Sequence, residues 1–84
     1  MTRNEVLELI RSHLAEELEV DPSRIQDDTR FKEDLEADSL DLVALVQELE
    51  DHSGVRIPDK DAVKITTVGQ AADYVAAHFA EAQA

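Results

Sequence analysis

Ser39 stands in Glu36-Ala37-Asp38-Ser39-Leu40-Asp41, the most acidic part of an acidic chain. A serine hydroxyl there has three possible chemical uses: it caps a helix, it acts as a nucleophile beside a base, or it receives a covalent group. The nucleophile role lacks support. Gly-x-Ser-x-Gly is absent, and no motif fixes a base near the serine. Capping falls better to Asp38, whose carboxylate accepts from the unpartnered N–H groups of a first helical turn. That frees the Ser39 hydroxyl for modification. Asp41, in the same turn, suits the positive end of the helix dipole. A helix start also favours a phosphodiester, while the neighbouring acids oppose one.

Other chemistry is thinner. His13, His52 and His78 are far apart and share no ligand spacing, so each reads as a solvent-facing helix residue. Asp34, Glu36 and Asp38 alternate as in a calcium loop. However, Ser39 stands where the loop glycine belongs and Leu45 where its last glutamate belongs. Weak, non-specific binding of divalent cations is all the acid cluster offers. There is no cysteine, hence no disulfide and no thiolate metal site. Neither a catalytic set nor a metal set emerges. Any thiol chemistry needs a borrowed thiol.

The elements that must position Ser39 read as helices. Leu42, Leu45, Val46 and Leu49 follow i, i+3, i+4, i+7, which predicts a helix from Ser39 to about His52, stopped by Gly54. Upstream, Thr2-Arg3-Asn4-Glu5 is a capping box. Val6, Leu7, Ile10, Leu14 and Leu18 then predict an amphipathic helix over 3–18. Pro22 ends that pattern and suits a short turn of helix after Asp21. Residues 19–37 form a long loop, of a length that often marks function, with Ile25, Phe31 and Leu35 as apolar pins. Pro58-Asp59 opens a short helix over 59–63. Thr67-Val68-Gly69-Gln70 is a second capping box, opening a last helix from Val68 to about Ala80. Its inner face is Ala71, Ala72, Val75 and Phe79, and Glu81–Ala84 is expected to fray. No strand pattern competes. The fold class is all-α: a small four-helix bundle of three longer helices and a short third one, with the long loop between the first two.

Length and charge narrow the function. Eighty-four residues make one domain with a modest core. Eight Lys and Arg against twenty Asp and Glu give a net charge of −12. That surface repels nucleic acid and anionic lipid and attracts basic protein surfaces. From Glu33 to Asp51 there are eight acids and no Lys or Arg. Such a run is either a solvated face or a docking surface, and one exposed serine within it favours docking. No apolar run is long enough to span a bilayer, and the start does not resemble a signal peptide. The expectation is a cytoplasmic monomer without stable membrane insertion.

The ordered set Asp38-Ser39-Leu40-Asp41, Leu45-Val46, Leu49-Glu50, Ile57-Pro58-Asp59 and Ile65-Thr66-Thr67-Val68 resembles an acyl carrier protein, of the discrete bacterial fatty-acid type. The resemblance runs from Phe31 to Tyr74, and residues 1–21 fit the family's first helix. It implies that a phosphopantetheinyl transferase attaches 4′-phosphopantetheine from coenzyme A to Ser39, with Asp38 and Leu40 flanking it in the motif. It implies acyl groups held as thioesters, and an apolar pocket between the second and third helices. Phe31, Val46, Leu49, Ile57, Ala62, Ile65 and Ala71 are the expected lining, with small Ala62 and Ala71 leaving room. Partner enzymes with basic patches would dock on Asp38, Asp41, Glu48, Glu50 and Asp51. Four residues depart from the pattern. Glu36 replaces a frequent glycine, so the turn is expected to differ, because a non-glycine adopts a positive φ only with difficulty. Ala44 and Gln47 stand where a glutamate and a methionine are common. Ser53 replaces a bulky aromatic and would thin one end of the core unless Val55 or Leu42 fills it. The rival readings are a carrier for a polyketide or other specialised pathway, and an unmodified acidic interaction module.

Overall fold

The structure, a computed structural model, describes the backbone of residues 1–83 and the side chains of residues 1–79. The described residues form four α-helices: α1 (Arg3–Leu18), α2 (Ser39–Ser53), α3 (Asp59–Ala62) and α4 (Val68–Gln83). A 3-10 turn, Pro22–Arg24, lies in the long loop, as Pro22 after Asp21 predicts. The one β-type pairing among them is an isolated antiparallel bridge between Arg30 and Thr67. The all-α bundle is therefore as expected. α3 is one residue shorter than its sequence pattern suggested. α4 continues through Gln83, past the Ala80 expected. Of the segment expected to fray, Ala84 lies outside the described residues.

α1 starts where its capping box predicts. The Thr2 hydroxyl accepts from Glu5 N–H at 3.2 Å and the Glu5 carboxylate accepts from Thr2 N–H at 2.8 Å. Those bonds, the backbone one foremost, hold the Glu5 carboxyl below its ordinary pKa. The helix ends on Glu19, in the left-handed region at φ 55°. Val6, Leu7, Ile10 and Leu14 are buried, and each full burial of this kind contributes about 1.5–3 kcal/mol of transfer free energy. α1 packs mainly on α4 and α2.

The long loop is held down along its length. Ile25, Phe31 and Leu35 are buried, as their role as pins requires. Arg11 Nε donates to the Ile25 carbonyl at 2.8 Å. The Thr29 hydroxyl accepts from Gln26 N–H at 2.8 Å and donates to the Arg24 carbonyl at 3.2 Å. Three backbone bonds then stitch the loop to the start of α4: Gly69 N–H to Asp27 O at 2.7 Å, Val68 N–H to Thr29 O at 2.9 Å and Phe31 N–H to Thr66 O at 3.1 Å. Arg3 adds ion pairs to Asp27 at 3.0 Å and to Asp73. So a segment without long helices is still tied down by hydrogen bonds along its length, and it carries the chain to α2 in a fixed position.

At Ser53 the exception allowed for Val55 is met, and the expectation for the histidines needs correction. Ser53 is buried, its hydroxyl donates to the Leu49 carbonyl at 2.6 Å, and it accepts from Val55 N–H at 3.1 Å. Val55 is buried beside it and Leu42 is half-buried. A small polar residue works there because both of its hydrogen-bonding roles are filled. The histidines are not uniformly solvent-facing either. His52 is exposed, but His13 and His78 are half-buried. His78 stacks on Tyr74 with ring centroids 4.1 Å apart, and His13 Nε2 is buried without a hydrogen-bond partner.

Candidate functional site

The approach to Ser39 is a single tight turn. Asp34 and Leu35 N–H groups donate to the Arg30 carbonyl, Glu36 N–H to Lys32 O and Ala37 N–H to Phe31 O. The Asp34 carboxylate closes the start of this turn, accepting from Arg30 N–H at 2.9 Å and pairing with its guanidinium at 3.1 Å. The guanidinium, and then the backbone N–H, hold the Asp34 carboxyl below its ordinary pKa. The turn ends at Glu36, whose φ is 56°. This corrects the expectation drawn from the missing glycine. The turn keeps its left-handed exit with a glutamate in place, and the residue bears the steric strain of that region, about 1–3 kcal/mol.

From Ala37, which is buried, the chain enters α2. Asp38 is the N-cap in extended backbone conformation. Its carboxylate accepts from Asp41 N–H at 3.0 Å, and the Asp41 carboxylate accepts from Asp38 N–H at 3.1 Å. This reciprocal pair is a capping box built from two aspartates. The sequence offered Asp41 only as a charge near the dipole; its reach back to Asp38 was missed because the usual signature ends in Glu or Gln. With Asp38 as the cap, Ser39 is the first helical residue, exposed, and its hydroxyl makes no hydrogen bond to a described residue. Leu40 beside it is 78% exposed. A hydroxyl so placed fits a phosphodiester linkage: it is accessible, unpartnered and dispensable to the cap.

The acids expected to dock partners have structural attachments as well. Asp38 and Asp41 form the box. Glu48 pairs with His52 Nε2 at 2.7 Å. Glu50 turns inward, and its carboxylate accepts from Ile57 N–H at 2.8 Å. Asp51 is exposed with no described partner. The Glu50 bond joins α2 to the connection before α3, and seven residues of separation hid it from a pattern search. Val43 on α2 and Val63 after α3 are also exposed, at 54% and 76%.

The expected pocket residues share one apolar cluster. Phe31, Leu49, Ile57 and Ala71 are buried in it, and Val46, Ala62 and Ile65 pack against it half-buried. In this structure they form and flank the hydrophobic core. A surface depression of about 310 Å³ lies apart from them, lined by Leu9, Ser12, His13, Glu16, Glu17 and Glu48. Among the described residues, no group of three or more His, Cys, Asp or Glu is arranged to hold a metal ion. None of their helices is long and apolar enough to cross a membrane.

Comparison with known proteins adds an independent line. The family model described as "Phosphopantetheine attachment site" matches residues 8–75. The chain is 53% identical over 78 residues to the acyl carrier protein of Rubrobacter xylanophilus, covering 93% of this chain and 96% of that one. It is 44% identical over 78 residues to the acyl carrier protein of Lactobacillus johnsonii, covering 93% and 98%. Among solved structures it is similar to the acyl carrier protein from Enterococcus faecalis, with a TM-score of 0.80 and 40% identity over 92% of this chain and 98% of that one.

Proposed function

The chain belongs to the acyl carrier protein family, and from that membership we propose that Ser39 bears its prosthetic group and that residues 1–84 act as one carrier domain. The group is a covalently attached 4′-phosphopantetheine, which supplies the thiol that the polypeptide lacks. The single observation that carries the assignment to Ser39 is its exposed, unpartnered hydroxyl at the first position of a helix already capped by Asp38. A separate magnesium-dependent transferase delivers the arm from coenzyme A. Ser39 Oγ attacks the pantetheinyl phosphate, its proton is lost, and adenosine 3′,5′-bisphosphate leaves. The N–H groups of Ser39 and Leu40, at the open end of α2, face the added negative charge favourably.

The chain then holds acyl groups for other enzymes and does no bond chemistry of its own. Asp38, Asp41, Glu48, Glu50 and Asp51 form the docking face for basic patches on those enzymes. Rim charges of this kind mainly steer encounter and set its salt dependence. Glu48 and Glu50 are tied by their own bonds, and Asp51 is exposed with no described partner. Fatty-acid synthesis is the pathway favoured by the ordered motifs from Asp38 to Val68, with a specialised acyl pathway as the second reading, left open by the departures at Glu36, Ala44, Gln47 and Ser53. Intact-mass analysis of the chain and of Ser39→Ala after exposure to coenzyme A and the transferase tests the assignment.

A further inference from the structure

The span between Ile57 and Val68 differs from the rest of the bundle. Ile57 is 5% exposed and Val68 is fully buried, yet none of residues 58–67 between them is buried. Both ends of the span are pinned by backbone N–H bonds. Ile57 N–H donates to the Glu50 carboxylate at 2.8 Å, and Phe31 N–H donates to the Thr66 carbonyl at 3.1 Å. Between the pins sits α3, four residues long, too short to be stable on its own. The inward residues of the span, Ala62 at the end of α3 and Ile65 beyond it, rest half-buried on the apolar cluster. One described side-chain hydrogen bond ties the middle of the span to a long helix: the Tyr74 hydroxyl of α4 donates to the Asp61 carboxylate at 2.8 Å.

We propose that the Tyr74–Asp61 bond is a clasp that holds α3 down on the apolar interior and sets how readily an acyl chain enters beneath it. The proposal rests on the carrier reading and adds to it the two residues that control entry. The physical logic is local. A span with pinned ends and an unburied middle opens by lifting that middle, and the energy of lifting resides in the few contacts the middle makes. The acceptor is a carboxylate, so this bond is stronger than a neutral one. Tyr74 is anchored independently through its stack on His78, so the fixed partner is α4 and the moving partner is α3. When the clasp is released, Ala62 and Ile65 come away from the cluster and apolar space opens beside them. A chain that binds only the lifted form has its apparent affinity reduced by the fraction of time the form is present.

The test has two arms. In the chain without a prosthetic group, the Asp61, Ala62, Val63, Lys64 and Ile65 amides, each bonded to a carbonyl within the span, report its opening by hydrogen exchange. Tyr74→Phe keeps the ring and removes the donor, and these amides should exchange about tenfold faster. Asp61→Ala should do the same, adding nothing on top of Tyr74→Phe, while Asp61→Asn, which keeps an acceptor oxygen, should stay closer to the parent. In the second arm, the loaded chain carries either a decanoyl or an acetyl thioester and is challenged with hydroxylamine. Tyr74→Phe should slow cleavage of the decanoyl form by more than about twofold and leave the acetyl form unchanged, since two carbons have little apolar area to bury. Unchanged exchange in Tyr74→Phe overturns the proposal, and so does decanoyl cleavage at the parent rate. Exchange is read without the arm, so failure of the carrier reading shows separately, as a chain that gains no mass.

Discussion

The Gly69 amide donates to the Asp27 carbonyl at 2.7 Å, and a Cβ built on Gly69 would lie 2.7 Å from that same oxygen. Gly69 is thus the point where the long loop and α4 touch backbone to backbone. By propensity alone, alanine at a helical position should be better than glycine by about 1 kcal/mol. The contact reverses the sign. Gly69→Ala should destabilise the fold by about 1–3 kcal/mol, the cost of forcing a packed backbone apart. For a domain of this size each kcal/mol moves Tm by about 4–8 °C, so thermal melting resolves it. An unchanged or raised Tm would contradict the close approach.

Glu36 has a φ of 56° at the last step before Ala37 and Asp38. Glycine adopts that conformation without the Cβ clash. Glu36→Gly should therefore raise stability by about 0.5–1 kcal/mol, the relieved strain exceeding the added freedom of the unfolded chain. Glu36→Ala, with its Cβ retained, should give no such gain. Denaturant midpoints of the three chains decide it.

Asp34 is held below its ordinary pKa by the Arg30 guanidinium and then by the Arg30 N–H. A depressed carboxyl stabilises the folded state above its unfolded pKa, and that contribution disappears as pH falls through the folded value. Asp34→Ala should thus be less stable than the parent near neutrality. The gap should close on acidification below the ordinary aspartate value of 3.8. Stability measured at pH 7 and across the acid range checks this, and a gap independent of pH would contradict it.

What the sequence made legible follows physical range. Caps and periodic faces act within one helix turn, and they were readable. Thr2 with Glu5 and Thr67 with Gln70 form the boxes their spacing predicts, and Gln70 also accepts from Thr66 N–H at 2.7 Å. The pins Ile25, Phe31 and Leu35 were readable because a long loop must bury its few apolar residues. Contacts between distant residues were not. Nothing in the spacing of Glu50 and Ile57, Asp27 and Gly69, or Asp61 and Tyr74 marks them as partners. Glu50 looked like another surface acid, and its inward turn appears only once the connection before α3 is in place. Glu36 misled for the opposite reason. A local rule disfavoured its conformation, and the bonds around Arg30, Lys32 and Phe31 overrode it. At the candidate site itself, the free hydroxyl of Ser39 followed from one local inference, that Asp38 would take the cap.

The most direct measurement is peptide mapping by mass spectrometry after the chain is incubated with coenzyme A, magnesium and a phosphopantetheinyl transferase. The account predicts one phosphopantetheine arm on the peptide containing Ser39, and no mass gain in a Ser39→Ala variant that melts like the parent. An arm found on another residue, or a mass gain in the variant, would contradict it.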